Sequence, residues 1–127
     1  MPKNIIAIED EPAIAESLKI LLEAAGYAVT LVSTSADLPK IFEHVPDLYL
    51  LDIWLKGMTD GREIGRQLKS RPATKNVPVI VVSADQNIEQ MAREAEANAF
   101  VQKPFQPRAL LALVAEHLGI VQKTPSI

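Results

Sequence analysis

The chain has 127 residues, 48% of them hydrophobic, enough for one domain with a proper core and too few for two ordinary ones. It contains no cysteine, which excludes disulfides, cysteine-based metal clusters and thiol nucleophiles, and a net charge of -3 with scattered Lys and Arg leaves no footprint for direct nucleic-acid binding. After Met1-Pro2-Lys3-Asn4 the apolar run is far shorter than a signal-peptide core or a membrane span, so a soluble, cytoplasmic protein without membrane contact is expected.

Ile5 to Ile8 is apolar throughout and predicts a strand buried on both faces, ending in Glu9-Asp10. Ile14, Leu18, Leu21, Leu22 and Ala25 then fall on one stripe of a helix, punctuated by Pro12 at its start and Gly26 beyond its end. Val29 to Val32 is more mixed in polarity, as suits an edge strand. Leu38, Ile41, Phe42 and Val45 predict a second helix with Ser35 as its cap and Pro39 near its start. A second fully apolar run, Leu48 to Leu51, leads into Asp52. Ile64 and Leu68 mark a third helix, entered through Asp60-Gly61. Val79 to Val82 is the third apolar run and leads into Ser83. Ile88, Met91, Ala92 and Ala95 mark a fourth helix, and Phe100 to Gln102 a second edge strand that leads into Lys103-Pro104. Leu110, Leu113, Val114 and Leu118 mark a fifth helix between Pro107 and Gly119. Residues 120–127 show no pattern and are expected to be a tail, or the start of a linker, beyond a domain spanning residues 1–119.

Alternating strands and helices imply an α/β fold, a (βα)5 parallel sheet wound on both faces with right-handed crossovers. With the second and fifth strands at its edges, the strand order is 2-1-3-4-5. Ligands of such a sheet sit beyond the carboxyl ends of the strands where the winding reverses, here between strands one and three. Those two strands end in Glu9-Asp10 and Asp52.

Three carboxylates in one crevice repel unless a cation intervenes or one of them takes up a proton. Magnesium suits them, because it accepts a few carboxylates plus water and leaves positions open for phosphate oxygens. A carboxylate can itself attack phosphorus, provided cations neutralise the equatorial oxygens. Lys103 offers a fixed cation and Ser83 a hydroxyl donor. Taken singly, each residue has an ordinary use: acids before proline cap helices, Asp52 and Ser83 suit turns, and Lys103 is a solvated charge. It is their joint placement at one sheet edge that points to a site. His44 and His117 fall in the last turns of predicted helices, where the dipole accounts for them, and Met58 and Met91 suit a loop and the core. No G-x-G-x-x-G, Walker A or nucleophile-elbow sequence occurs.

Ile6-Ala7-Ile8-Glu9-Asp10-Glu11-Pro12, Leu50-Leu51-Asp52-Ile53, Asp60-Gly61, Val81-Val82-Ser83-Ala84 and Phe100-Val101-Gln102-Lys103-Pro104-Phe105 follow one another in order. As a set, from Asn4 to about Gly119, they resemble the response-regulator receiver domain of bacterial two-component signalling, with its chemotaxis-type, flavodoxin-like fold. The resemblance implies that Glu9 and Asp10 organise magnesium, with the backbone carbonyl of Trp54 completing its shell. It implies that Asp52 takes a phosphoryl group from a phosphohistidine of a sensor histidine kinase or phosphotransfer protein, in a reaction the domain catalyses on itself without a turnover substrate. Ser83 and Phe100 would be the switch pair, Lys103 the phosphate-binding cation, and the bond before Pro104 cis. A downstream protein partner would read the face of the fourth helix, fifth strand and fifth helix, and phosphorylation would favour a homodimer.

Trp54 and Asp85 stand at positions that flank the approach of water in this family, the ring expected to shield the phosphoryl group and the carboxylate to assist hydrolysis. The chain departs from the family pattern at Lys56, where proline is common, and at Glu96, where glycine is frequent. A haloacid-dehalogenase-type phosphatase would need a second acid where Trp54 stands. A receiver-like scaffold that no longer accepts phosphate is disfavoured by the intact acids, hydroxyl and lysine. Met1 leans towards a natural start, and the chain is expected to be either a stand-alone regulator acting through protein contacts or, alternatively, an excised receiver of a larger regulator or hybrid kinase.

Overall fold

The computed structural model describes residues 2–57 and 59–120. Strand β1 (Asn4–Ile8) pairs in parallel with β2 (Ala28–Val32) on one side and with β3 (Leu48–Asp52) on the other; β4 (Val79–Ser83) and β5 (Ala99–Gln102) extend the sheet in the order β2-β1-β3-β4-β5. Every residue of β3 and β4 is buried, whereas β2 is mostly half-buried and β5 alternates. The apolar runs are uninterrupted because helices cover both faces. Ile5, Ala7, Leu48, Leu50, Ile80 and Val82 pack under α1 (Pro12–Ala24) and α5 (Pro107–His117). Their neighbours in the strands point the other way, where α2 (Lys40–Glu43), α3 (Gly61–Ser70) and α4 (Ile88–Glu94) lie. The result is the expected doubly wound order, and it sends the ends of β1 and β3 to the point where the winding reverses.

The second helix is much shorter than expected. Ser35–Asp37 form a 3-10 turn, Ser35 caps nothing, and the single turn of α2 follows Pro39. Val45 lies outside it, 48% exposed. Two prolines account for this: Pro39 contributes no amide, and Pro46 drives Val45 towards extended backbone. The buried Tyr49 holds the remnant, its Oη donating to the Ile41 carbonyl at 2.5 Å, and Arg71 stacks over the Phe42 ring at 3.6 Å. In α1 the buried stripe runs through Ala15, Leu18 and Leu22, and Ala25 is exposed at the C-cap rather than part of the stripe. Met91 is a core residue, while Met58 and the tail from residue 121 lie outside the described residues.

Three helices end in the same way. The residue beyond the cap turns left-handed, with its amide and the next one folding back onto carbonyls of the last turn: Gly26 after α1, Glu96 after α4 and Gly119 after α5. Glu96, at φ 57°, adopts without glycine the conformation that glycine provides elsewhere. Its side chain is strained there, since Cβ crowds the carbonyl in this region by about 1 kcal/mol or more. Glu96→Gly is therefore expected to stabilise the fold by about 1 kcal/mol, seen as a higher urea midpoint at unchanged slope. A lower midpoint would mean that contacts of the Glu96 side chain outweigh the backbone strain.

Candidate functional site

Because β1, β3 and β4 are parallel and in register, the first polar residues past their apolar runs arrive at the same edge. Glu9, Asp52 and Ser83 are nearly completely buried there, and Asp10 is half-buried. Glu9, Asp10 and Asp52 each bring a carboxylate oxygen within 4.8 Å of the other two. Lys103 follows β5 into the same crevice: its Nζ lies 2.6 Å from Glu9 Oε1 and 3.4 Å from Asp52 Oδ2. Its amide donates to the Ser83 carbonyl at 2.8 Å, and the Lys103-Pro104 bond is cis. The structure thus brings together all five residues expected from the strand ends.

Three acids against one lysine leave negative charge uncompensated in a buried place. Burial pushes the Glu9 carboxyl up from 4.5 to about 7, the neighbouring Asp52 pushes the same way, and the Lys103 hydrogen bond only partly opposes them. Burial also works against the Lys103 ammonium, but the hydrogen bond to Glu9 and the charges of Asp52 and Glu9 outweigh it and hold Lys103 above its ordinary value. Three hard oxygen donors that do not ionise comfortably together match what a small divalent cation requires. Asp10 Oδ2 also accepts the Lys56 amide at 2.5 Å, so the loop after Asp52 is tied to an acid despite lacking proline.

Trp54, two residues beyond Asp52, is 51% exposed. Its indole Nε1 donates to Asp85 Oδ2 at 3.1 Å, and the Arg62 guanidinium sits 5.3 Å from the ring centroid. Trp54 and Asp85 were expected to act in opposition; the hydrogen bond joins them into one unit. Ser83 Oγ accepts the Asp85 amide at 3.3 Å. Phe100 lies on β5, 41% exposed and beside Ala92 and Arg93 of α4. The histidines are elsewhere: His117 Nδ1 lies 3.0 Å from the Leu113 carbonyl in the last turn of α5, and His44 caps α2 near Asn4, at the opposite end of the sheet.

Sequence reasoning missed how Gly61 and Arg62 serve the site. The Gly61 amide donates to the Ile53 carbonyl at 2.9 Å, and a Cβ on Gly61 would overlap the Asp52 carbonyl oxygen and come within 2.7 Å of Ile53 Cα. The start of α3 is pressed against the backbone that carries Asp52, a closeness only glycine permits. Asp60 caps the helix by accepting the Arg62 amide at 2.8 Å, and the Arg62 guanidinium beside it holds its carboxyl below the usual range. The dipeptide Asp60-Gly61 was the only signal in the sequence. Gly61→Ala is expected to destabilise by about 2 kcal/mol through overpacking, against a helix propensity that alone would favour Ala by about 1 kcal/mol. Unfolding in urea reads the sign directly, and a gain in stability would show that the contact yields.

The family model of the response regulator receiver domain matches residues 5–115. The phosphate regulon transcriptional regulatory protein PhoB of Pseudomonas aeruginosa is 34% identical over 113 residues, covering 87% of this chain and 49% of that protein. The chain spans about half the length of the curated relatives it matches. Among solved structures, the signal receiver domain of a signal transduction histidine kinase from Syntrophus aciditrophicus superposes with a TM-score of 0.82 at 31% identity, covering 98% of this chain and 96% of that one. The receiver domain of the sensor histidine kinase PA1611 from Pseudomonas aeruginosa, which has a magnesium ion coordinated in its active site cleft, shares the fold with a TM-score of 0.85 at 24% identity, covering 94% and 99%. With the sheet order, the acid cluster at the winding switch point and a family match over nearly the whole described chain, this chain belongs to the response regulator receiver domain family.

Proposed function

We propose that this domain is a phosphorylation-controlled switch in which Asp52 accepts a phosphoryl group from the phosphohistidine of a sensor histidine kinase or phosphotransfer protein. The observation that carries the reading is the position of the Lys103 Nζ, 2.6 Å from Glu9 and 3.4 Å from Asp52 at the end of a fully buried strand. An Asp52 carboxylate oxygen forms the new O–P bond while the N–P bond of the donor breaks and its electron pair returns to the imidazole nitrogen. Lys103 stays charged and neutralises an equatorial phosphoryl oxygen, and the Ser83 hydroxyl turns to donate to another. Glu9, Asp10 and Asp52, with the Trp54 backbone carbonyl, would hold a magnesium ion, which when bound supplies charge neutralisation at the phosphoryl oxygens.

As Ser83 turns it vacates space for Phe100, which carries no hydroxyl and so enters without leaving a polar group unsatisfied. The outer face of α4, β5 and α5 changes with it and is the surface offered to a downstream protein partner or, on phosphorylation, to a second copy. No helix among the described residues is long and apolar enough to cross a membrane. A cytoplasmic switch acting through protein contacts, without direct contact to nucleic acid, fits this composition. The test is intact mass after treatment with acetyl phosphate: one phosphoryl adduct that requires magnesium is expected, and no adduct at millimolar magnesium would sink the reading in favour of a receiver-like scaffold.

A further inference from the structure

Ser83 is linked to α4 by a second set of contacts that does not pass through Phe100. Its Oγ accepts the Asp85 amide at 3.3 Å, a long bond that a turning hydroxyl gives up easily. Asp85 is committed on several sides. Its Oδ1 accepts the amide of Asn87, the cap of α4, at 2.8 Å, and its carbonyl accepts from Ile88, the first residue of α4, at 3.2 Å. Its Oδ2 accepts the Trp54 indole at 3.1 Å. Trp54 in turn lies under Arg62, whose Nη1 is 3.2 Å from Glu94 Oε1 at the last residue of α4. A helix of seven residues is therefore tied at its start by Asp85 and at its end through Trp54 and Arg62.

We propose that Asp85 is a positioning residue that acts through Trp54, and that the Trp54–Asp85 bridge carries the state of Ser83 to both ends of α4. The inference rests on the proposed roles of Asp52 and Ser83 and adds a route out of that site. When Ser83 Oγ turns towards a phosphoryl oxygen, the Asp85 amide loses its partner and the loop before α4 shifts. The indole, half-exposed and held by one hydrogen bond and one cation rather than by burial, follows or lets go. Either movement reaches Glu94 through Arg62. Spatial continuity alone does not establish coupling, so the decisive quantity is the change in response when the bridge is cut.

The chain has one tryptophan, hence one indole N–H resonance to follow by NMR. In the unmodified protein, magnesium with beryllofluoride should shift that resonance and the amides of Asp52, Ile88 and Glu94. Asp85→Ala should move the indole resonance towards its solvent position before any phosphoryl mimic is added. Asp85→Asn keeps an acceptor and should restore it. Trp54→Phe keeps an aromatic face and removes the donor; it and Asp85→Ala should each reduce the Glu94 response by about twofold or more. An indole resonance unchanged by Asp85→Ala, or a full Glu94 response in both variants while Asp52 responds normally, would overturn the inference alone. An Asp52 amide that ignores beryllofluoride would overturn the phosphoacceptor reading and this inference with it.

Discussion

Asp52→Asn is expected to abolish the phosphoryl adduct formed with acetyl phosphate and magnesium, and to make the protein slightly more stable in EDTA. Loss of the adduct follows from chemistry: the amide keeps the shape of the side chain but offers no carboxylate nucleophile. The neighbouring acids are poor substitutes, because Glu9 is buried against Lys103 and Asp10 accepts the Lys56 amide. The gain in stability follows from crowding. Asp52 helps to push the Glu9 carboxyl upwards, so removing its charge lets Glu9 ionise more readily. The attraction lost in exchange is the 3.4 Å approach of Lys103, longer than a strong charge-assisted bond. The balance should favour Asn by about 1 kcal/mol, read from urea unfolding at neutral pH. An undiminished adduct would place the phosphoryl group on another residue, and a less stable Asn variant would show that Lys103 attracts Asp52 more than the acids repel it.

The parts of this molecule that were legible in its sequence are those decided by burial along a strand. Ile5–Ile8, Leu48–Leu51 and Val79–Val82 are apolar because helices cover both faces of the inner strands, and the first polar residue after each then arrives, still buried, at a common edge. The strand order and the meeting of Glu9, Asp10, Asp52, Ser83 and Lys103 follow from that. Features set by close approach between distant segments were not legible. Trp54 and Asp85 are 31 residues apart, and no periodicity brings an indole N–H to a carboxylate. The role of Gly61 depends on the Asp52 carbonyl facing it across the start of α3. The second helix failed for a different reason: its apolar spacing is helical, but Pro39 and Pro46 bracket a segment too short to use it, and Val45 falls outside. At Glu96 the helix-end geometry overrode residue preference, since the backbone turns left-handed there without glycine.

Stability in EDTA should fall as pH rises from about 4.5 to about 7, and saturating magnesium should remove that fall. The sign follows from Glu9, whose carboxyl is pushed by burial and by Asp52 from 4.5 to about 7 in the folded protein. Between these values the folded chain holds a proton that the unfolded chain has released, so raising the pH favours unfolding. A shift of this size is worth about 3 kcal/mol as an upper figure. Lys103 is held above its ordinary value and stays charged throughout this window, so it cannot produce the trend. Binding of magnesium to Glu9, Asp10 and Asp52 would require Glu9 to be ionised, so each ion bound below pH 7 displaces about one proton. Affinity should therefore rise about tenfold per pH unit up to about 7 and level off above it. Trp54, two residues from Asp52 and the only tryptophan in the chain, should report binding by a change in its fluorescence. Magnesium affinity that stays constant between pH 5.5 and 8 would mean that Lys103 alone keeps Glu9 ionised, and that the acids are not crowded enough to need a second cation.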